Sequence, residues 1–163
     1  MTFTKIQFIT LFQYHWETNT RLLKCAAVLE EIRYNHHPGF GRGSIHDLLV
    51  HLLRADQSWR VGLETGIQGQ PPSSEDYSTL EAVSDGYENE RIAWTKLLEG
   101  FSEGELHGDI ELRTLRDDQY TFPRWRILQH LILHGMQHHS ELAQLLTNEG
   151  QSPGDIDFIF YRG

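Results

Sequence analysis

The stretch LQHLILHGMQHHSELAQLL, residues 128–146, decides the predicted fold because it has the pattern of one long core-facing helix. Its inward positions recur three and four residues apart, which is the spacing of one helix face. They are Leu128, Leu131, Gly135, His138, Leu142 and Leu145. Pro123 suits a first helical turn and Gly150 a helix end, so we predict a helix from Pro123 to Asn148. Histidine is costly in a core unless its ring nitrogens find partners, so this helix indicates a use for imidazole.

The first segment with a helical pattern runs from about Thr4 to Arg33, before the Gly- and Pro-rich stretch NHHPGFGRG. Its heptad positions form one seam, which consists of Phe8, Leu11, His15, Thr18, Leu22, Cys25, Leu29 and Ile32. Two polar residues, His15 and Thr18, interrupt this seam at one level. We therefore expect a core-facing bundle helix with a polar cavity at that level.

A second helix begins at Ser44, a predicted N-cap with Asp47 at the capping-box position, and ends near Gly62 or Gly66. A third covers about Leu80 to Glu99, after a long loop that offers a serine as its cap. The two candidate caps are Ser73 and Ser78.

The segment from Gly104 to Phe122 alternates apolar and polar residues around a polar turn, which predicts a small hairpin or an extended excursion. The tail SPGDIDFIFYRG is half apolar, so we expect it to pack back onto the helices. The predicted fold class is all-α, an antiparallel four-helix bundle with an irregular crossover before the last long helix. We expect residues 1–163 to form a single domain.

Composition limits the classes of partner. The formal charge is -9, from 23 acidic and 14 basic side chains, which disfavours nucleic acid and anionic membranes. The single cysteine, Cys25, excludes an internal disulfide and fits a reducing compartment. The chain starts without a signal-peptide pattern and contains no apolar run long enough to span a membrane. We therefore expect a soluble cytoplasmic protein with no nucleic-acid or membrane partner.

The histidines of the last helix have the spacing of a metal site. His134 and His138 lie one turn apart, so both imidazoles can point at one ion. A third ligand must come from another helix, and His51, at the flank of the second helix's apolar face, is the best candidate. The alternative is that these are partly exposed histidines at bundle seams, with His51 solvated or bonded to backbone.

The segments FQYHWETNTRLL, IHDLLVHLLRADQSW and FPRWRILQHLILHGMQHHSELAQLLTNEGQSPGDIDFIFY resemble the first, second and fourth helices of the DinB/YfiT-like family, in order and over nearly the whole chain. Tyr14, Trp16 and Asn19 echo that family's aromatic and asparagine segment of helix one. Trp125 and the histidines at 130, 134 and 138 echo its tryptophan-histidine run. The resemblance implies that His51, His134 and His138 are the metal triad. Two stretches depart from the family pattern, which puts the substrate in doubt: Leu133, and His139 with Ser140 and Glu141.

Three neutral imidazoles would leave a divalent cation with an open position, which is typical of catalytic sites. Zinc and nickel are the leading metals, with iron or copper also compatible. Relatives of the family include thiol transferases, thiol-dependent isomerases and a domain of ergothioneine-forming enzymes. The resemblance thus implies activation of a thiol or water for transfer or hydrolysis on a small molecule, and a homodimer. The alternatives are a non-catalytic metal-binding dimer or stress-response interaction protein, and DNA binding, which fits an acidic chain poorly.

Four residues are candidates for the pocket around the metal: His15, Thr18, His130 and Glu141. Glu141 could act as a base or hold a ligand ring, or could be part of a solvated face. Trp59 and Tyr14 are candidate pocket walls or plain core. The remaining histidines, His36, His37, His46, His107 and His139, are interpreted as surface or loop residues. Cys25 is interpreted as a small buried apolar residue rather than a nucleophile.

Overall fold

The computed structural model describes residues 3–163, and within them the chain forms six α-helices and one two-stranded sheet. The helices are α1 (Lys5–Ala26), α2 (Glu31–Tyr34), α3 (Ile45–Thr65), α4 (Leu80–Gly100), α5 (Glu103–His107) and α6 (Arg124–Asn148). The strands are β1 (Asp109–Arg113) and β2 (Gln119–Pro123). Short 3-10 turns cover Ser74–Tyr77 and Phe158–Phe160. In the described part of the chain, no helix is long and apolar enough to cross a membrane.

The first helix ends seven residues before the predicted Arg33, at Ala26. Glu30 has extended backbone angles, φ -65° and ψ 147°, and this breaks the helix before the short α2 begins. As a result Ile32, predicted in the core seam, is 78% exposed, whereas Tyr34 is buried. The predicted single helix from Thr4 to Arg33 is therefore wrong at its carboxyl end.

Side-chain caps fix where the longer helices start. Ser44 accepts a hydrogen bond from the Asp47 backbone nitrogen, and the Asp47 side chain bonds back to Ser44, which confirms the predicted capping box. The cap of α4 is Thr79, because Ser78 has helical backbone angles and a cap residue needs extended ones. Ser73, the other predicted cap, begins the 3-10 turn instead.

The four long helices form a bundle in which chain neighbours are not always spatial neighbours. The predicted antiparallel direction does not hold for every pair, because Tyr14 lies beside Met136 and Asn19 beside His139, so α1 and α6 run parallel. Helix α1 packs against α4 and α6, and α3 packs against the same two helices. Thus α1 and α3 lie on one diagonal, and α4 and α6 lie on the other. The chain crosses the bundle twice, once through α2 and once through α5 and the hairpin. The one predicted crossover before the last helix is present, and a second precedes α3.

The second crossover contains the predicted hairpin. β1 and β2 pair antiparallel with Ile110 opposite Phe122, and Asp117 takes a positive φ of 70° in the connecting turn. The short α5 before the hairpin was not predicted, although Ser102 and Glu105 give it a capping box. Arg124 at the start of α6 follows directly, so the hairpin delivers the chain to the last helix.

The bundle core is made of fully buried leucines and aromatic rings from all four long helices. Its largest members include Phe8, Phe12, Leu52, Trp94, Leu128 and Leu131. The tail packs back as predicted, since the Tyr14 hydroxyl donates to the Ile156 carbonyl at 2.5 Å. The Arg21 guanidinium likewise donates to the Pro153 carbonyl at 2.6 Å. These two hydrogen bonds hold the tail against α1.

Candidate metal centre

Three histidines from two adjacent helices converge at one point. His51 lies on α3, and His134 and His138 lie one turn apart on α6. The ring centroids of His134 and His138 are 4.6 Å apart, and that of His51 is 5.1 Å from the first and 4.8 Å from the second. One nitrogen of each ring lies within 4.8 Å of the other two. The three residues singled out from the sequence are thus brought together.

The spacing of these rings fits a small divalent cation. The Nε2 atoms of His51 and His134 are 3.1 Å apart. In tetrahedral coordination with zinc–nitrogen bonds of about 2.0–2.1 Å, two ligand nitrogens stand about 3.3 Å apart. A ligand set of three imidazoles and no thiolate suits zinc, nickel, copper or iron.

The protonation states also suit cation binding. Burial, followed by the charge of Arg42 and the neighbouring rings, lowers the pKa of His51 to about 4. Burial, followed by His138 and His130, lowers the pKa of His134 to about 4. Both rings are therefore neutral near pH 7, and the neutral ring is the form that binds a metal.

Glu141 orients the third ring. Its Oε2 lies 2.7 Å from Nδ1 of His138, one turn back along the same helix. An ionised carboxylate only accepts, so the His138 ring carries its proton on Nδ1 and leaves Nε2 free to face an ion. His138 is buried and Glu141 is partly exposed, so the carboxylate forms the outer side of this contact. Of the two sequence-based alternatives for Glu141, the contact favours holding a ring over lying on a solvated face.

A buried polar cluster lies behind the triad. His15 on α1 places Nε2 at 3.1 Å from Oδ2 of Asp56 on α3. His139, predicted at the surface, is fully buried, and its Nε2 lies 2.7 Å from Oδ1 of Asn19. The physical reason is that His139 stands one turn after Gly135, on the α6 face that meets α1. That spacing is the signal that could have placed it, whereas nothing in the sequence pointed to Asp56.

The other sequence-predicted pocket residues lie at or beyond the edge of the triad. His130 is exposed, with its ring centroid 5.8 Å from that of His134 and 5.4 Å from Trp59. The Thr18 hydroxyl donates to the Tyr14 carbonyl of its own helix at 2.9 Å. Tyr14 packs edge-on against Phe158 of the tail, so it supports the tail rather than a pocket wall.

Two histidines interpreted as surface or loop residues are partly buried. His46 donates from Nε2 to the Tyr77 carbonyl at 2.7 Å, and His107 does the same to the Phe3 carbonyl at 2.8 Å. Both rings tie separate segments together through backbone groups. His36 and His37 are exposed, as predicted.

An open cleft of about 590 Å³ lies on the α3 side of the triad. Two of the triad rings, His51 and His134, form part of its lining, and Trp59 forms an apolar wall. Arg42 and Arg54 also line it, and neither was singled out from the sequence. The volume lies in the range of small-molecule sites, which is about 300–1,000 Å³.

Solved structures share this architecture. A DinB-like protein from Bacillus cereus ATCC 10987 superposes with a TM-score of 0.72 at 18% identity, over 95% of this chain and 99% of that one. The DinB-like YjoA of Bacillus subtilis gives 0.69 at 17% identity, over 93% and 99%. YfiT of Bacillus subtilis, described as a probable metal-dependent hydrolase with an unusual four-helix bundle topology, gives 0.68 at 12% identity, over 93% of each chain. At these identities the likeness shows the fold alone.

Sequence comparison carries the family assignment. No curated protein matches the chain. The model of the DinB family, in contrast, matches residues 1–163. The chain belongs to the DinB family.

Proposed function

We propose that the chain is a metal-dependent enzyme in which His51, His134 and His138 hold one divalent cation beside the open cleft. The observation that carries this proposal is the convergence of three imidazoles from two helices, with one nitrogen of each within 4.8 Å of the others. Three protein ligands leave a coordination position open, as catalytic sites require. The description of YfiT as a probable metal-dependent hydrolase is in line with it.

A divalent cation at this position would lower the pKa of a bound water or thiol and so supply a nucleophile at neutral pH. The protein's own part is to present three neutral rings in a fixed arrangement. Glu141 holds the His138 ring through Nδ1, and the cleft beside His51 and His134 gives a small substrate access. We propose hydrolysis, or transfer of a low-molecular-weight thiol, as the reaction class.

Metal content tests the ligand assignment directly. The metal-free chain is titrated with Zn²⁺ and Ni²⁺ by calorimetry, and we expect one site per chain. His51→Ala, His134→Ala and His138→Ala should each lose more than about 100-fold in affinity, because loss of a supporting contact alone costs about 10–100-fold and each variant removes a ligand. His36→Ala, which removes an exposed ring, is the matched control and should bind as the wild type does. A wild-type chain that takes up neither metal contradicts the proposal.

Two assays separate the reaction classes. Hydrolysis is followed with p-nitrophenyl acetate, and thiol transfer with cysteine and 1-chloro-2,4-dinitrobenzene, each with Zn²⁺- and Ni²⁺-loaded protein. We expect turnover in one assay that disappears in His138→Ala and persists in His36→Ala. Metal binding without turnover in either assay favours the non-catalytic alternative.

The homodimer and the cytoplasmic location stay predictions. Exposed apolar side chains of α1 and the tail, including Ile6, Phe158 and Ile159, form a surface that a second copy could cover. Analytical ultracentrifugation of the wild type and of Ile159→Asp tests this. We expect a dimer that the aspartate dissociates, and a wild-type monomer contradicts the prediction.

A further inference from the structure

Two arginines in the cleft beside the triad lack carboxylate partners. Four arginines elsewhere in residues 3–163 form ion pairs with acidic side chains: Arg33, Arg60, Arg91 and Arg113. Arg42 and Arg54 are among the arginines that form none within that range, and they are the two that line the cleft. The Nε of Arg54 is buried with no hydrogen-bond partner. A buried charged donor without a partner is unfavourable, so a rotation of the Arg54 side chain that brings its guanidinium against an acceptor in the cleft would be favourable.

The acidic groups around the cleft are already engaged. Asp47 is the cleft's one lining carboxylate, and its Oδ2 accepts from the backbone nitrogen of Ser44 at 2.9 Å and from its hydroxyl at 2.8 Å. Glu141 bonds to His138, and Asp56 bonds to His15. The two arginines against Asp47 leave the cleft lining with a formal charge of +1, in a chain whose formal charge is -9. A divalent cation beside it would add to that excess, so an anionic ligand is the natural complement.

Arg42 lies at the edge of the cleft nearest the triad. Its Nη1 lies 3.4 Å from Nδ1 of His51, and a guanidinium can only donate, so Nδ1 is the acceptor in this contact. The charge of Arg42 therefore stands beside the point on which the triad rings converge, where it would attract an anionic ligand.

We propose that Arg54 and Arg42 bind the oxyanion group, a carboxylate or a phosphate, of a small-molecule substrate in this cleft. The guanidinium fork matches both groups with two parallel hydrogen bonds. Trp59, Ala55 and Pro71 line the same cleft and provide apolar contacts for the body of the molecule. The claim that the bound molecule is a substrate, and not only a ligand, rests on the proposed function. The anion site itself does not depend on that proposal.

Calorimetry with three probes of similar size tests the site. Phenyl phosphate and phenylacetate carry the two oxyanions, and benzyl alcohol is the neutral match. Each is titrated into metal-free and Zn²⁺-loaded protein. We expect at least one anion to bind about tenfold or more tightly than benzyl alcohol in both forms, since hydrogen bonds to charged groups are the stronger ones. The anion that binds more tightly shows whether the site prefers a phosphate or a carboxylate group.

Arginine variants assign the binding to these side chains. Arg54→Gln and Arg42→Gln should each weaken binding of the preferred anion by about tenfold or more, and Arg54→Lys should recover part of the loss. The control Arg91→Gln removes an exposed arginine that pairs with Glu88 on α4, and it should bind as the wild type does. Anion binding that is no tighter than that of benzyl alcohol, or that survives both glutamine variants, overturns the proposal.

The two proposals fail separately. Zn²⁺ stoichiometry is measured on the same samples, and Arg54→Gln should retain its metal because Arg54 is not one of the three ligands. Arginine-dependent anion binding in a chain that takes up no Zn²⁺ would refute the metal site and support the anion site. Zn²⁺ binding without arginine-dependent anion binding would refute the anion site alone.

Discussion

The His15 ring and the Asp56 carboxylate meet in the centre of the bundle, Nε2 to Oδ2 at 3.1 Å, although their helices lie diagonally opposite. Both side chains are almost fully buried, at 2% and 1% exposed. The His15 ring also lies 5.0 Å, centroid to centroid, from that of His139, the residue directly after His138. The pair therefore joins α1 and α3 immediately behind the candidate metal ligands.

Breaking this pair on one side should cost more than removing both partners. His15→Leu leaves the Asp56 carboxylate buried without its partner, and we expect a loss of about 3–5 kcal/mol in the free energy of unfolding. The double variant His15→Leu, Asp56→Leu should recover much of this loss, because neither member of the pair is then left buried without the other. Urea unfolding of the singles and the double provides the measurement. His130→Leu, at an exposed ring, is the control, and a double variant less stable than either single contradicts the interpretation.

Gly135 is required by the same His15 ring. A Cβ atom at this position would lie 2.6 Å from Nδ1 and 2.7 Å from Cε1 of His15. Gly135→Ala should therefore destabilise the protein by about 1–3 kcal/mol through overpacking, although alanine is the better helix former. Gly100→Ala is the matched control, because a Cβ there meets nothing within 4 Å. Thermal unfolding should show a lower midpoint for the first variant only, and equal midpoints would mean that the ring moves aside.

The local part of the site was predictable, because helical geometry alone places His134 and His138 one turn apart. His51 required the relative position of two helices, which the resemblance supplied and the periodicity did not. Asp56, Arg42 and Arg54 were missed for the same reason. The diagonal arrangement of α1 and α3 decides what lies behind the triad, and no pattern within one helix encodes it.

Helix boundaries show where sequence patterns stop being informative. The Ser44 capping box follows from local hydrogen bonding and was predicted correctly, and Pro123, predicted in the first turn of the last helix, is the residue directly before α6. The end of α1 at Ala26 has no glycine or proline to signal it, and the apolar spacing continues through Leu29 and Ile32. Only the tertiary arrangement turns the chain there towards α3.

Glu141 should tune metal affinity without being a ligand. Glu141→Gln keeps the shape of the side chain but removes the charge that holds Nδ1–H of His138. Loss of such a supporting contact typically lowers metal affinity by about 10–100-fold. Competition between the protein and a chromogenic chelator for Zn²⁺ measures the change. Glu17→Gln, at an exposed position on α1, is the control. Unchanged affinity in Glu141→Gln would show that the carboxylate has no part in orienting the ring.

The metal-free protein should lose stability as the pH falls from about 6.5 towards about 4. Burial is the main cause that lowers the pKa of both His51 and His134 to about 4, from the ordinary value of 6.5. The unfolded chain therefore takes up protons first, so this contribution is complete above about pH 6.5 and declines below it. Urea unfolding midpoints at pH 7, 6, 5 and 4.5 provide the measurement. His134→Asn should flatten the slope, His36→Asn should not, and a slope unaffected by His134→Asn contradicts the assignment.

Removal of the metal separates the catalytic interpretation from the structural one. The buried core consists of apolar residues from all four long helices, and His51 and His134 lie outside it at partly exposed positions. We therefore expect the metal-free chain to unfold cooperatively. Added Zn²⁺ should raise the melting temperature only by the amount that its binding to the folded state predicts from its concentration and Kd. Scanning calorimetry over a series of Zn²⁺ concentrations, with His138→Ala as the control that should not respond, measures this. Loss of the cooperative transition in the metal-free wild type would favour a structural ion, since domains built around a structural metal unfold without it.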